Sequence, residues 1–266
     1  VKGTKDLLPA DSPRWLFLES TIREVMSAYR YREIRTPTFE ETAVFSRGIG
    51  EETDIVGKEM YTFTDKGGTS LTLRPEMTAS VVRAFVQHSL AEQGGLTKVF
   101  YIGPMYRQER PQAGRLRQFH QFGAECIGSS AAACDADVIA IAADVFAKLG
   151  IHSTLKINSV GDPVCRPQYR DVLQAFLAGV TDRLTPESQR RALINPMRVL
   201  DSKAEQDIEA TRDAPSILDH LSDDARDHFS KVRSILDDFG IAYVIEPRLV
   251  RGLDYYTKTA FEFVST

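Results

Sequence analysis

The sequence predicts an α+β fold: an antiparallel β-sheet flanked by helices, with a mostly helical insertion. Three observations carry this. Residues 98–128 hold two apolar runs, Val99 to Met105 and Gln118 to Ile127, rich in types that suit a pleated, buried surface, around a long basic loop. Stripes of apolar residues at helical spacing stand on both sides of that hairpin. From Asp162 to about Gly240 the pattern is helical and rich in charge, and strands resume only at Ala242.

Taken in order, Asp11-Ser12-Pro13 marks a helix start, a capping side chain followed by proline in the first turn. Trp15, Leu18, Ile22, Val25, Met26 and Tyr29 then form one apolar stripe. Tyr31 to Arg35 reads as a short strand ending at Pro37, which cannot donate to a ladder and so suits an edge or interface. Glu59 to Thr64 and Thr69 to Leu73 flank Asp65-Lys66-Gly67-Gly68, a strong hairpin signal. Arg74-Pro75-Glu76 leads into a helix with Val81, Val82, Phe85, Val86 and Leu90 on its packing side. Glu76 and Thr78 stand in its first turn, where they either cap the helix or serve a ligand. Asp135 to Leu149 is a helix capped by Asp135 and ended by Gly150. Thr154 to Asn158 and Ala242 to Glu246 are strands, and Leu249 to Thr266 is a β-rich run headed by Arg251, Asp254, Tyr255 and Tyr256. The expected divisions are a core over residues 1–160, a helical insertion over 161–240 and a return to the sheet over 241–266.

A net charge of −4 gives no global signature of nucleic-acid binding, so any RNA contact must come from a local basic patch. The three cysteines (Cys126, Cys134, Cys165) lack metal-ligand spacing and are expected to be free thiols in a reducing cytoplasm. No run approaches the roughly 20 apolar residues of a transmembrane helix, and no signal peptide is evident, so no membrane partner is expected. With no initiator Met and an end straight out of a strand-like run, the chain is expected to be a portion of something longer.

The hairpin carries the chemistry. Side chains alternate faces along a strand, so Phe119, Gln121, Gly123 and Glu125 share one face, as do Tyr101, Gly103, Met105 and Arg107. Glycine inside a strand often marks the close approach of a ligand, which makes this face a candidate ligand floor. The alternative is an edge hairpin with a solvated polar face. Nucleotide loops of the GxxxxGK[ST] and GxGxxG types are missing, as are HExxH, CxxC and GxSxG, and the five histidines are scattered. No metal site is expected. What remains is arginine, a planar and permanently charged fork, beside carboxylates and amides. Arg107 and Arg251 are candidates for a polyphosphate; Glu76, Gln121 and Glu125 are candidates for an ammonium or imidazole.

YREIRTPTFEET, SLTLRPEMTASVVRAF, FYIGPMYRQERPQAGRLRQFHQFGAECIG and LVRGLDYYTKTAFEF resemble successive blocks of histidyl-tRNA synthetase, a class II aminoacyl-tRNA synthetase. The resemblance is looser across the helical insertion. It implies a class II synthetase-like antiparallel sheet, a cytoplasmic homodimer with Pro37 at the interface, and L-histidine, ATP with Mg2+, and the acceptor end of tRNA(His) as partners. It implies that Arg107 binds the α-phosphate and substrate carboxylate, with Glu109 on the adenine and ribose side and Arg115 toward ATP. Glu76, Thr78 and Gln121 would hold the α-amino group, and Glu125 and Tyr256 the two imidazole nitrogens, with Tyr255 beside them. Arg251 would stabilise charge on the α-phosphate, and Arg110 and Gln112 would meet the tRNA. The other relative to weigh is the synthetase-like regulatory subunit of ATP phosphoribosyltransferase, which senses histidine without aminoacylation. It usually loses parts of these blocks and lacks the long insertion.

Physical chemistry supports such a site without an activated Ser or Cys. Attack of a carboxylate on an α-phosphate builds negative charge, and preorganised cations aimed there are the main lever. A reader of both imidazole nitrogens excludes other amino acids, whose binding would leave buried polar groups unpaired. Two departures stand out. Met77 replaces the usual glycine between two substrate-holding residues, and its side chain is expected to point into the core face of the helix. The motif 3 arginine and glycine-rich segments that clamp ATP, and the anticodon-binding domain, have no match, so the chain is expected to be incomplete as an enzyme.

Overall fold

The stripe beginning at Trp15 folds as α1 (Ser12–Ala28), whose Ile22, Val25 and Met26 are buried in a computed structural model that describes residues 1–49, 59–112, 114–251 and 255–266. Asp11 makes no side-chain cap; its backbone is already helical, leaving its carboxylate unable to reach back. There follow β1 (Arg32–Glu33), β2 (Phe39–Glu41), α2 (Thr42–Ile49), β3 (Tyr61–Thr64), β4 (Ser70–Leu73), α3 (Thr78–Gln87), β5 (Thr97–Tyr106) and β6 (Gln118–Ile127). The chain continues through α4 (Ala132–Lys148), β7 (Ser153–Ser159), α5 (Arg166–Gly179), α6 (Pro186–Ile194), α7 (Glu205–Ala210), α8 (Asp223–Asp238), β8 (Tyr243–Ile245) and β9 (Thr259–Ser265).

Three sheets form among the described residues, in orders β1-β5-β6, β2-β4-β3 and β8-β7-β9. The expected antiparallel pairing holds for most of them. Two pairings, β1 with β5 and β7 with β8, are parallel. A parallel pair needs a long crossover rather than a hairpin turn. The helical stretch after Asp162 is that crossover: α5 to α8 lie between β7 and β8, and no described strand interrupts them. The tight turn between β3 and β4 forms where expected, with Asp65 Oδ1 accepting from the N–H groups of Gly67 and Thr69 at 2.8 Å each.

Contacts divide the chain into two compact units, one of Val1–Ser130, Ile141–Gly150 and Leu253–Tyr255, the other of Ala131–Ala140, Ile151–Gly252 and Tyr256–Thr266. In the first, β5 and β6 pair over ten residues each, and side chains pack on both faces. One face sets Phe100 among Ile22, Val25, Met26, Ile141 and Val145. The other sets Val99, Tyr101 and Met105 against Met77 and Val81 of the α3 region. Met77 is 2% exposed, so it points into the core as its position demands. Val82 and Val86, expected to pack, lie on the exposed side of α3 instead. Arg74 is buried, its Nε donating to Pro104 O (2.9 Å) and its Nη1 to Thr36 O (2.9 Å) and Pro37 O (3.3 Å).

The second unit has two cores. Phe229, Val232 and Leu236 of α8 join Ala132, Ala136 and Ile139 of α4 over Leu155 and Ile157 of β7. Asp135 does not cap α4, because that helix starts at Ala132; its carboxylate pairs with buried His228 at 2.8 Å. Tyr169, Leu173 and Leu177 of α5 centre the other core with Leu184, Val199 and Ile217.

A carboxylate holds that helical core together. Asp207 is fully buried and accepts from Thr185 N (2.7 Å), Thr185 Oγ1 (2.9 Å), Ser188 Oγ (2.6 Å) and Ser202 Oγ (2.6 Å). Against the cost of desolvation, these donors hold its carboxyl below the usual carboxylate range. A depressed acid contributes stability above its ordinary value, lost as pH falls. Replacing Asp207 by Ala removes the acceptor of four donors, Ser188 Oγ fully buried and the others half-buried, and we expect a loss of about 2–3 kcal/mol in urea unfolding at pH 7, smaller at pH 3. An unchanged urea midpoint at pH 7 would contradict this account of the crossover.

Candidate active site

The site begins where β4 runs into α3. Glu76 sits just before the helix and its carboxylate accepts from Thr78 N (2.7 Å) and Ala79 N (2.9 Å), so it does cap the first turn, as one of the two open readings holds. Both carboxylate oxygens are thereby fixed, and Glu76 is 6% exposed. Thr78 points its hydroxyl to β6, donating to Glu125 Oε1 at 2.7 Å. Glu125 also accepts from the Tyr101 hydroxyl. Two carboxylates therefore meet at one threonine, Glu76 buried and Glu125 half-buried.

Burial dominates their electrostatics. It pushes Glu125 up to about 7, assisted by the charge of Glu76, while the Thr78 and Tyr101 hydroxyls oppose the shift. Burial likewise raises Glu76, opposed by the two backbone N–H groups and the Arg107 charge. Buried, cation-hungry carboxylates suit an ammonium or imidazole.

Arg107 follows the end of β5 and is tethered on several sides. Its backbone N–H donates to Arg117 O (2.9 Å) and its Nε to Pro75 O (3.0 Å), and its guanidinium lies 5.2 Å from the Phe119 ring centroid. Nη1 is 3.8 Å from Glu109 Oε1, and Arg115 Nη1 is 3.6 Å from Glu109 Oε2. That Oε2 is buried and accepts no hydrogen bond, leaving an acceptor between two guanidinium groups. Such an arrangement can hold an anion at the arginines and a donor at Glu109.

The cross-strand register places these residues on one face. Val99 pairs with Glu125, Tyr101 with Gly123, Gly103 with Gln121 and Met105 with Phe119. The two glycines serve a different purpose from the one expected of a ligand floor. A Cβ on Gly123 would stand 2.4 Å from the Tyr101 ring, and one on Gly103 would stand 2.8 Å from Arg74 Nη2. Protein side chains fill both spaces. Tyr101, which the sequence places on this face without a role, reaches Glu125 and lies across from Gly123.

At the loop tip Gln112 and Arg115 exchange backbone hydrogen bonds (3.0 and 3.2 Å), and Gly114 takes a φ of +77°. Arg110, Gln112 and Arg115 are exposed there. Arg117 is committed elsewhere, its Nε to Glu109 O (3.3 Å) and its Nη1 to Lys2 O (3.5 Å). Tyr255 belongs to the first unit and is 42% exposed. Arg251 and Tyr256 belong to the second, where Arg251 Nη1 lies 3.9 Å from Glu262 Oε2 on β9. Asp254 lies outside the described residues. Among the described residues no cluster of three His, Cys, Asp or Glu side chains suits a metal. No described helix is long and apolar enough to cross a membrane.

Known proteins resemble this chain over nearly its whole length. The family described as histidyl-tRNA synthetase matches residues 3–266. The histidine--tRNA ligase of Caldanaerobacter subterraneus subsp. tengcongensis is 52% identical over 99% of this chain and 64% of its own length. That of Halothermothrix orenii is 54% identical over 98% and 62%. The chain thus spans a little under two thirds of the relatives it matches. The apo histidyl-tRNA synthetase of S. aureus, a class II synthetase fold, superimposes with a TM-score of 0.77 at 40% identity, over 99% of this chain and 60% of that one. A Bacillus halodurans protein described as an ATP phosphoribosyltransferase regulatory subunit/histidyl-tRNA synthetase shares the fold, with a TM-score of 0.69 at 23% identity. The matched family, the identity to its members and the fold agree: this chain belongs to the histidyl-tRNA synthetase family.

Proposed function

We propose that this chain carries the histidine-activating site of a cytoplasmic histidine--tRNA ligase. The observation that supports it most is the Glu76–Thr78–Glu125 cluster, with Glu76 buried and Thr78 and Glu125 half-buried, beside the hairpin face that ends in Arg107. Glu76, Thr78 and Gln121 hold the α-ammonium of L-histidine, and Glu125 and Tyr256 read the imidazole nitrogens, with Tyr255 beside them. Arg107 takes the substrate carboxylate and the α-phosphate of ATP, with Glu109 toward the adenine and ribose and Arg115 toward the phosphates. Mg2+ enters as part of the ATP substrate.

A histidine carboxylate oxygen attacks the α-phosphorus, forming a P–O bond while the bond to the bridging oxygen breaks and pyrophosphate leaves. Arg107 and Arg251 stabilise the charge that gathers on the α-phosphate oxygens. The terminal hydroxyl of tRNA(His) then attacks the adenylate carbonyl and AMP departs, with Arg110 and Gln112 meeting the acceptor end. A homodimer is part of this reading. Phe39 and Phe63 are exposed and stack edge-on with centroids 6.4 Å apart on the β2-β4-β3 sheet beside Pro37, an apolar surface suited to a second copy. Family identity of 52–54%, with the motif 2 and RGLDYY residues all present, favours a ligase over the histidine-sensing regulatory subunit.

Two outcomes test the assignment. Glu125→Ala in folded protein is expected to weaken histidine binding by about 1–3 kcal/mol in calorimetry, the cost of an unpaired buried group; unchanged affinity would remove Glu125 from the site. In the complete gene product, Arg251→His is expected to slow histidine-dependent pyrophosphate exchange while histidine affinity holds. Normal exchange in that variant would end the catalytic assignment of Arg251.

A further inference from the structure

The strand β7 ends in Asn158-Ser159 and runs on into Val160-Gly161, a stretch with no part in the site described so far. Asn158 is fully buried, yet it is not paired with another polar side chain. Its Nδ2 donates to two backbone carbonyls, Pro247 O at 3.1 Å and Leu249 O at 3.0 Å. Those two carbonyls belong to the segment that enters Arg251, and Glu246 N donates to Ile157 O at 2.9 Å just upstream. The same turn holds the segment that leaves the block. Arg166 bridges Val160 O (3.0 Å, from Nε) and Tyr256 O, and Lys258 N donates to Gly161 O at 2.7 Å.

An amide that spends both protons on carbonyls of one irregular segment fixes that backbone as no apolar residue of its size can. Its Oδ1 is buried and accepts no hydrogen bond, a cost with no evident return except the donor pair. Arginine reaching across to Tyr256 O works the same way on the other side. Sites tolerate little displacement, and a misplacement of about 1 Å can cost about a hundredfold in rate.

We propose that Asn158 and Arg166 are positioning residues for the histidine-activating reaction, Asn158 setting the backbone of Arg251 and Arg166 that of Tyr256. Neither touches substrate. The proposal rests on the assignment of Arg251 to the α-phosphate and Tyr256 to the imidazole. Because the two anchors serve different steps, their loss produces different kinetics, which a general weakening of the fold would not do.

The test is pyrophosphate exchange in the complete gene product, with thermal melts to verify folding. Asn158→Leu, close in volume and lacking donors, is expected to lower kcat about tenfold or more with the KM for histidine within about twofold. Added to Arg251→Ala, it is expected to cause no further fall, since the group it positions is gone. Arg166→Met is expected to raise the KM for histidine about tenfold with kcat within about twofold. If Asn158→Leu fails to fold, Asn158→Ser, which keeps one donor, is expected to show the same split at smaller size. Equal changes of kcat and KM in both variants, wild-type kinetics in either, or full additivity of Asn158→Leu with Arg251→Ala would overturn the inference. An Arg251→Ala enzyme with normal exchange would instead overturn the catalytic assignment beneath it.

Discussion

The register between β5 and β6 is the constraint on which this site depends. Side chains alternate along both strands, so a slip of one residue would send Tyr101, Arg107, Gln121 and Glu125 to the face occupied by Phe100, Ile102, Phe122 and Ala124. Shape fixes the register as firmly as hydrogen bonding. Tyr101 lies over Gly123 and Arg74 over Gly103 with no space for a Cβ at either glycine, so each bulky group accepts only the partner it has. The Arg74 contact also joins the hairpin to the segment entering α3, because Arg74 stands two residues before Glu76, while Tyr101 reaches Glu125 within the hairpin. Packing on one side of the sheet thus determines where the carboxylates stand.

That placement has an energetic consequence. Glu125 is raised from its ordinary 4.5 to about 7 by burial and the nearby Glu76. A raised acid favours its protonated form in the fold, so its contribution to stability is complete below about 4.5 and is lost as pH rises to about 7. At neutral pH the charged form of Glu125 therefore works against folding. Asp207 shows the opposite design: four donors satisfy it fully, it needs nothing from outside, and it serves the core of the helical crossover alone. The contrast separates a carboxylate raised by burial from one held low by its donors.

Much of this was legible in the sequence, and the limits have physical causes. The period of two placed Arg107, Gln121 and Glu125 on one face, and the position of Glu76 at the start of α3 signalled the cap that it makes. Local patterns do not show long-range partners. Gly103 and Gly123 looked like openings for a ligand because the groups that fill them lie elsewhere in the chain. Asp135 looked like a cap because a helix start uncertain by one turn changes what a carboxylate can reach. The parallel pairing of β7 with β8 is set across the whole crossover and leaves no turn signal. Backbone carbonyls, the targets of Asn158 and Arg166, leave no mark in a sequence at all.

The carboxyl carbon of Glu125, followed by carbon NMR through a pH titration of the ligand-free chain, tests the account most directly. We expect a midpoint near 7, which falls toward the ordinary range when Glu76 is replaced by Gln and its charge is removed. A Glu125 titrating at the ordinary carboxylate value in the wild-type chain would mean that it faces water. The packing of Glu125 against Thr78 and Glu76, on which the proposed site rests, would then be wrong.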